Sequence, residues 1–244
     1  MNTPIKKRVA ILFFGLTRSL EKTINTIKKN LLTPLNENNY EYDIFIHTYK
    51  IHGPYYNMWS GESVTNYINE DIEKILKPKY YIFDDQGEII NTIDFNEYYT
   101  KLGNWTGMTP ELTTILIKNM CLALYSKKQI TLLFEQYKDN YDYAIITRPD
   151  MQIDSKLDIN YFNELNNTNI IIPQKEWYTG CNDRLCIGKP NTIIYCGKLF
   201  DELKEYSRRK SIISERFFKD KLDERSINII AKNIQYSHFR MLNN

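Results

Sequence analysis

The sequence predicts an α/β fold in which a mainly parallel sheet is flanked by helices in a single domain. Short apolar, β-prone runs recur along the chain, and segments with helical spacing separate them. Punctuating residues such as Gly15, Pro78, Gly87 and Pro149 stand beside these runs.

The first run, Val9-Ala10-Ile11-Leu12-Phe13-Phe14, ends at Gly15 and reads as a buried strand. Leu20, Ile24, Ile27 and Leu31 then fall on one helical face, completing the opening of a βαβ unit. Tyr42–Thr48 is a second buried strand, parallel to the first under the crossover rule. Tyr80–Phe83 is a third, introduced by Lys77-Pro78 and stopped at Asp84-Asp85. Residues 50–64 and 86–108 are polar and bear glycine and aromatics, so both read as long functional loops. A long helix is predicted over Pro110–Tyr137, with a break near Ser126. Tyr141–Thr147 is a central strand leading into Arg148-Pro149-Asp150, and Ile170–Pro173 is another. A loop, Thr179–Asp183, precedes Leu185–Gly188; a helix over Pro190–Tyr206 and a shorter one from Ser214-Glu215 follow, the latter burying Phe217, Phe218 and Leu222. Ile227–Ile230 and Gln235–Phe239 close the chain as short extended segments. There is no internal repeat, linker or block of charge, so one domain over residues 1–244 is expected.

At 244 residues the chain is large enough to bury about 70–75 % of its unfolded surface without a staple. Its 32 basic and 30 acidic residues nearly balance, which excludes the basic footprint of a nucleic-acid binder. Cys121, Cys181, Cys186 and Cys196 form no C-x-x-C pair, so free, mostly buried thiols in a reducing compartment are expected. The apolar run after Met1–Arg8 is too short to span a bilayer and no cleavage site follows it, so a cytoplasmic protein is expected. The 19 Tyr and 11 Phe fit either a stacking surface or an AT-rich genome.

Ligands of open α/β sheets bind beyond the carboxyl ends of the strands, which ranks the polar residues. Gly15, Thr17 and Arg18 combine a permissive glycine, a fixed cation and a helix N-terminus, the parts needed to hold a diphosphate; a capped helix start with a surface arginine is the alternative. His47 and Thr48 follow the second strand, where a histidine is more often structural than catalytic. Asp150 can ligate a divalent cation while Arg148 pairs with phosphate oxygens, or the same residues can form a simple turn. Asn182 and Asp183 lie in a loop where a carboxylate can take a proton from a hydroxyl or bond to sugar. Glu215 serves either a site or the first turn of its helix. His238, beside Arg240, is a further candidate for a metal or phosphate.

The succession V-A-I-L-F-F-G-L-T-R-S, Y-D-I-F-I-H-T-Y, Y-D-Y-A-I-I-T-R-P-D-M, N-D-R-L-C-I-G-K-P and S-E-R-F-F resembles a group of small bacterial and large-DNA-virus glycosyltransferase-like proteins, over about residues 8 to 240. The resemblance implies a GT-A-like, Rossmann-type fold, a nucleotide-diphosphate sugar (UDP-sugar type) donor, a glycan or glycoconjugate acceptor, and Mn²⁺ or Mg²⁺. It makes Asp150 the surviving ligand of a D-x-D position, with Arg148 where the first acid usually stands, so metal affinity is expected to fall. It puts Arg18 near the diphosphate, makes Asn182, Asp183 and Glu215 the sugar or acceptor contacts, and makes Asp183 the base. Two other readings are a sulfotransferase-like group-transfer enzyme, whose phosphosulfate loop is not evident, and a non-catalytic nucleotide- or sugar-binding domain.

Overall fold

The computed structural model describes residues 6–65, 67, 69–98 and 108–240. Met1–Ile5 and residues 99–107, part of the expected second long loop, lie outside the described residues.

The chain opens with β1 (Arg8–Phe14), α1 (Leu20–Ile27), α2 (Thr33–Glu37) and β2 (Glu41–Lys50). It continues through β3 (Tyr55–Asn57), β4 (Glu62–Val64), α3 (Ile72–Ile75), β5 (Tyr80–Asp85), α4 (Gln86–Thr92) and α5 (Pro110–Glu135). β6 (Tyr143–Thr147), β7 (Met151–Ile153), β8 (Asn169–Pro173) and β9 (Cys186–Gly188) follow. Three helices, α6 (Pro190–Gly197), α7 (Phe200–Ser207) and α8 (Ser214–Glu224), precede β10 (Asn228–Lys232) and β11 (Tyr236–His238).

Seven strands form one sheet in the order β10-β8-β9-β6-β1-β2-β5. Every pairing is parallel except the two made by β9, which runs against both β6 and β8. The fold is therefore a mixed α/β architecture with a mostly parallel sheet flanked by helices, as expected. β1 and β6 are apolar at successive positions because both faces of the sheet are covered. Ala10, Leu12, Phe14, Ala144 and Ile146 face a core that includes residues of α5, α6, α7 and α8. Val9, Ile11, Phe13, Tyr143 and Ile145 face a second core with Leu20, Ile24, Ile27 and Leu35.

Several elements differ from expectation. Residues 50–64 are not an open loop: β3 and β4 pair as an antiparallel hairpin, Tyr55 opposite Val64 and Asn57 opposite Glu62. Residues 86–108 include α4, whose N-terminus is capped by the Asp85 carboxylate accepting from the Glu88 amide. α5 is continuous through Ser126: it starts at a Thr109 cap with Pro110 in its first turn, and Ser126 is buried inside it. The expected 190–206 helix is two helices, α6 ending at Gly197 and α7 resuming at Phe200. Gly197 lies so close to α5 that a β-carbon there would fall 1.9 Å from Thr131 Oγ1. All four cysteines are free and buried. Among the described residues no helix is long and apolar enough to cross a membrane.

Candidate functional site

The parallel strands β1 and β6 end side by side, so Gly15–Ser19 and Arg148–Asp150 leave the sheet at one rim. Because β9 runs the other way, its start lies at that same rim, and the Asn182–Arg184 loop leads into it beside the exit of β6.

Asp150 is the centre of this rim. Arg148 Nε donates to its Oδ1 at 2.8 Å and Arg148 Nη2 to its Oδ2 at 2.5 Å. Arg18 Nη2 donates to Oδ2 at 3.2 Å from the other side. Burial pushes the Asp150 carboxyl up, but Arg148 and then Arg18 outweigh it and hold the group well below the usual carboxylate range. Arg18 is itself buried: Nη1 donates to Tyr55 Oη at 2.7 Å and Nε lies 2.9 Å from Glu62 Oε1. Arg240 adds a third guanidinium. Burial, then the positive charges of Arg148 and Arg18, pull it below its ordinary value. Among the described residues it makes no hydrogen bond or ion pair. Three guanidiniums, Arg18, Arg148 and Arg240, thus gather around Asp150 and Glu62, and the Asp183 carboxylate also acts on Arg148.

Beside them lies a second network. Asp183 accepts a short hydrogen bond from the Ser214 hydroxyl at the start of α8 and lies 3.5 Å from Arg184 Nη1. Lys127 of α5, buried over the rings of Phe14 and Phe218, donates to the Asp183 carbonyl at 2.8 Å. Burial pushes the Asp183 carboxyl up; Arg184, Lys127, the Ser214 hydroxyl and Arg148 together hold it below its usual value. Glu215 goes the other way, raised by burial and by the charge of Asp183. Arg184 ties the pair together, 3.2 Å from Glu215 Oε1 and 3.2 Å from Glu176 Oε2. Glu176 and Tyr178 both hold positive φ, 57° and 40°, a costly backbone for residues with side chains and a local store of strain.

The structure therefore brings Arg18, Arg148, Asp150, Asp183 and His238 to one rim, with Glu215 joined through Arg184. His238 Nε2 lies 3.3 Å from Glu176 Oε2, and burial followed by the Arg148 charge lowers its pKa.

Four expected contacts are placed otherwise. Asn182 is buried with its polar atoms used internally: Nδ2 donates to the Lys175 carbonyl and Tyr236 Oη, and Oδ1 accepts from the Arg184 and Leu185 amides. It shapes the loop and leaves no atom for a sugar. His47 is fully buried, 2.7 Å from Ser126 Oγ through Nδ1 and 3.0 Å from Asp84 Oδ2 through Nε2. A tautomer that donates to Asp84 and accepts from Ser126 satisfies both ring nitrogens and leaves none for phosphate. Ser126 Oγ in turn accepts from the Gly15 amide at 2.7 Å, which holds Gly15 at φ 94°. Thr17 and Thr48 line a separate cavity of about 220 Å³ with Asn69 and Glu70. There the α1 N-terminus is already occupied: the Glu70 carboxyl accepts from the Leu20 amide at 2.9 Å and the Glu21 amide at 3.2 Å.

A divalent cation does not fit at Asp150. Both carboxylate oxygens are taken by guanidinium donors, and the nearest charges are positive. Among the described residues no three His, Cys, Asp or Glu side chains converge as a metal site.

Sequence reasoning missed Tyr55, Glu62, Lys127, Glu176, Arg184 and Arg240. Lys127 had a signal: a charged residue next to Ser126 inside an apolar helical pattern marks a buried polar function as well as it marks a break. Tyr55 and Glu62 had none, because they reach Arg18 only through the hairpin.

Among solved structures, the chain aligns with the apo form of glycosyltransferase GlyE from Streptococcus pneumoniae at TM-score 0.44 and 9% identity, covering 93% of this chain and 45% of that one. It aligns with galactosyltransferase LgtC, in complex with donor and acceptor sugar analogues, at 0.45 and 7%, covering 92% and 72%. Mouse xyloside xylosyltransferase 1, in its apo form, gives 0.44 and 8%, covering 93% and 85%. The chain thus spans under half the length of the GlyE structure, and likeness at these values carries no argument about activity. No curated protein matches. A family model described as a domain of unknown function, DUF7796, matches residues 5–239, and the chain belongs to that family.

Proposed function

We propose that this chain, one domain over residues 1–244, transfers a sugar from a nucleotide-diphosphate donor to a hydroxyl of a glycan or glycoconjugate. The observation that supports this most is the convergence of three guanidiniums at the rim: Arg18 and Arg148 are held by Asp150, and Arg240 lies beside them with no hydrogen bond or ion pair among the described residues. The leaving diphosphate gains charge as the sugar–phosphate bond breaks, and preorganised guanidiniums stabilise that charge without reorganising. Arg148 and Arg240 are the phosphate contacts. Asp150 is their positioning partner, fixing the Arg148 fork from below.

In the transfer step an acceptor hydroxyl oxygen attacks the anomeric carbon as the bond from that carbon to the diphosphate oxygen breaks. The electron pair leaves with the nucleoside diphosphate, and Asp183 takes the acceptor proton. Its low pKa keeps it ionised, and the Ser214 hydrogen bond fixes its orientation. Glu215 sets the local charge through Arg184.

The test is thermal stability against UDP-, GDP-, CMP- and dTDP-sugars, each with Mn²⁺ and with EDTA. A donor at 100 times its dissociation constant stabilises a fold by about 2.7 kcal/mol. One nucleotide class is expected to do so equally in EDTA and to lose the effect in Arg240→Ala. No shift from any donor at millimolar concentration overturns the reading. A metal requirement would restore Asp150 as a ligand and displace Arg148. A second reading, a nucleotide-binding domain without turnover, is favoured by the saturation of Asp150; binding without donor hydrolysis would establish it.

A further inference from the structure

Glu176 and His238 form a pair that the proposed transfer step leaves unused. The antiparallel pairing of β11 with β7 sets His238 opposite Met151, the residue after Asp150. Nε2 of the ring lies 3.3 Å from Glu176 Oε2. That oxygen also accepts from Tyr236 Oη at 2.8 Å and lies 3.2 Å from Arg184 Nη1. Glu176 reaches this position with φ at 57°, and such a backbone persists only where its surroundings enforce it. Two hydrogen bonds flank it here: Lys175 Nζ donates to the Tyr236 carbonyl and Trp177 Nε1 to the Pro173 carbonyl, each at 2.6 Å.

The protonation states follow from these partners. Burial pushes the Glu176 carboxyl up, but the Tyr236 hydroxyl, Arg184 and His238 outweigh it and hold the group below its usual value. An ionised carboxylate only accepts, so Nε2 carries the ring hydrogen and the neutral imidazole keeps its lone pair on Nδ1. Nδ1 is buried and has no hydrogen-bond partner among the described residues. A carboxylate that fixes one ring nitrogen and leaves the other basic is the arrangement of a proton acceptor. The charges around the ring decide whether it fills. Glu176 faces it from the β8–β9 loop, Arg148 and Asp150 from the exit of β6, and the Tyr236 ring from its own strand. Arg240, two residues along, adds a further positive charge to the same rim. Burial and then Arg148 disfavour the charged ring, Glu176 and Asp150 favour it, and the first two prevail. An anion seated on Arg148 reverses that balance, because it cancels the opposing charge and adds a favourable one.

We propose that His238 is the proton acceptor of an anion site: a diphosphate held by Arg148 and Arg240 draws one proton from solvent onto Nδ1, while Glu176 keeps the hydrogen on Nε2. The identity of the anion as a diphosphate rests on the proposed transferase function; the linkage needs only an anion at the same guanidiniums. No covalent bond to carbon or phosphorus changes, and the proton returns to solvent when the anion leaves. During transfer the released nucleoside diphosphate carries one more negative charge than the diphosphate group of the donor. The proton is therefore drawn most strongly as the product forms, and it offsets the charge that bond breaking delivers to the rim. Linkage is reciprocal, so falling pH tightens the anion as the anion tightens the proton.

The test uses the full chain in EDTA with inorganic pyrophosphate as the probe, which needs the anion site and no particular nucleotide. Imidazole resonances read the proton directly, since the sequence holds only His47, His52 and His238, and a His238→Gln variant identifies the signal of the last. Saturation with pyrophosphate is expected to move the His238 titration midpoint to higher pH. By calorimetry, pyrophosphate affinity is expected to gain about tenfold more between about pH 8 and about pH 5.5 in the parent than in His238→Gln. Glu176→Gln, which keeps the contact and removes the charge, is expected to lower the midpoint of the free protein. Pyrophosphate binding that leaves the His238 midpoint in place overturns the proposal, and so does failure of pyrophosphate to bind. A shift that appears only with added Mn²⁺ also overturns it, because the ring is then a metal contact. If pyrophosphate binds with the shift but no nucleotide-sugar binds, the transferase reading fails and the proton-linked anion site stands.

Discussion

Arg148 grips Asp150 with both ends of its fork, Nε on Oδ1 and Nη2 on Oδ2, although only Pro149 separates the two residues. A two-residue step at a strand end, with φ fixed by proline, turns a potential metal ligand into the counterion of two arginines. The same three residues would read as a metal-binding turn if Arg148 pointed outward.

Removing that counterion is expected to be expensive. Asp150→Asn leaves Arg18 and Arg148 without their shared partner, and breaking one side of a buried pair costs about 3–5 kcal/mol. Guanidinium denaturation of the two proteins measures it. Because the folded carboxyl is held below its unfolded value of about 3.9, its contribution is present above that pH and is lost as pH falls. The parent chain should lose stability in acid below about pH 4, and Asp150→Asn should flatten that limb.

Glu70 predicts the opposite slope. Burial pushes its carboxyl up to about 7, although the Glu21 and Leu20 amides favour the charged form. An acid raised above its unfolded value favours the fold when protonated, so its contribution declines as pH rises from about 4.3 through 7. Glu70→Gln is expected to remove that decline, with a higher melting temperature than the parent at pH 8 and little difference at pH 5. Calorimetry at both values decides it; equal melting temperatures at pH 8 would show that the α1 amides outweigh burial.

Ser126→Ala takes away the hydroxyl that joins His47 Nδ1 to the Gly15 amide. Each buried group left unpaired costs about 1–3 kcal/mol, so for the two groups a loss of about 2–6 kcal/mol is expected. Amide exchange at Gly15 should quicken in the variant, a change that a simple packing defect elsewhere in α5 would not produce.

Gly180 packs against the start of α8. A β-carbon there would fall 2.0 Å from the Glu215 carbonyl oxygen, and the Cys181 amide donates to that same carbonyl at 3.1 Å. Gly180→Ala must push the loop away, costing about 1–3 kcal/mol. Its effect on donor-dependent activity should exceed its effect on unfolding, since the displaced loop carries Asp183.

The periodic parts of this chain were legible. Val9–Phe14 and Tyr143–Thr147 read as buried strands from their length, β-branched and aromatic content and neighbouring breakers, and the sheet covers both their faces. Leu20, Ile24, Ile27 and Leu31 are all buried, as their spacing predicts. What the pattern hid was long-range partnership. Ser126 reads as a helix break until His47 and Gly15 are known to lie beside it, and residues 50–64 read as a loop because a three-residue strand is too short to show alternation. Asn182 and His47 attracted attention as polar residues near strand ends, but only tertiary structure shows that their hydrogen bonds are spent inward.

The reversed direction of β9 has a mechanical consequence. Ile145 pairs with Ile187 and Ile146 with Cys186, so the segments delivering Arg148 and Asp183 are stitched together by ladder hydrogen bonds a few residues away. Pulling these two groups apart requires unzipping the middle of the sheet. Among the described residues the hairpin pairs only with itself, and its ties to the body include side-chain bonds from Arg18 and Asn119 and the burial of Tyr55 against Leu16, Tyr49 and Leu122. One jaw of the rim is thus set by backbone pairing in the sheet, and the other by the packing and bonding of its side chains.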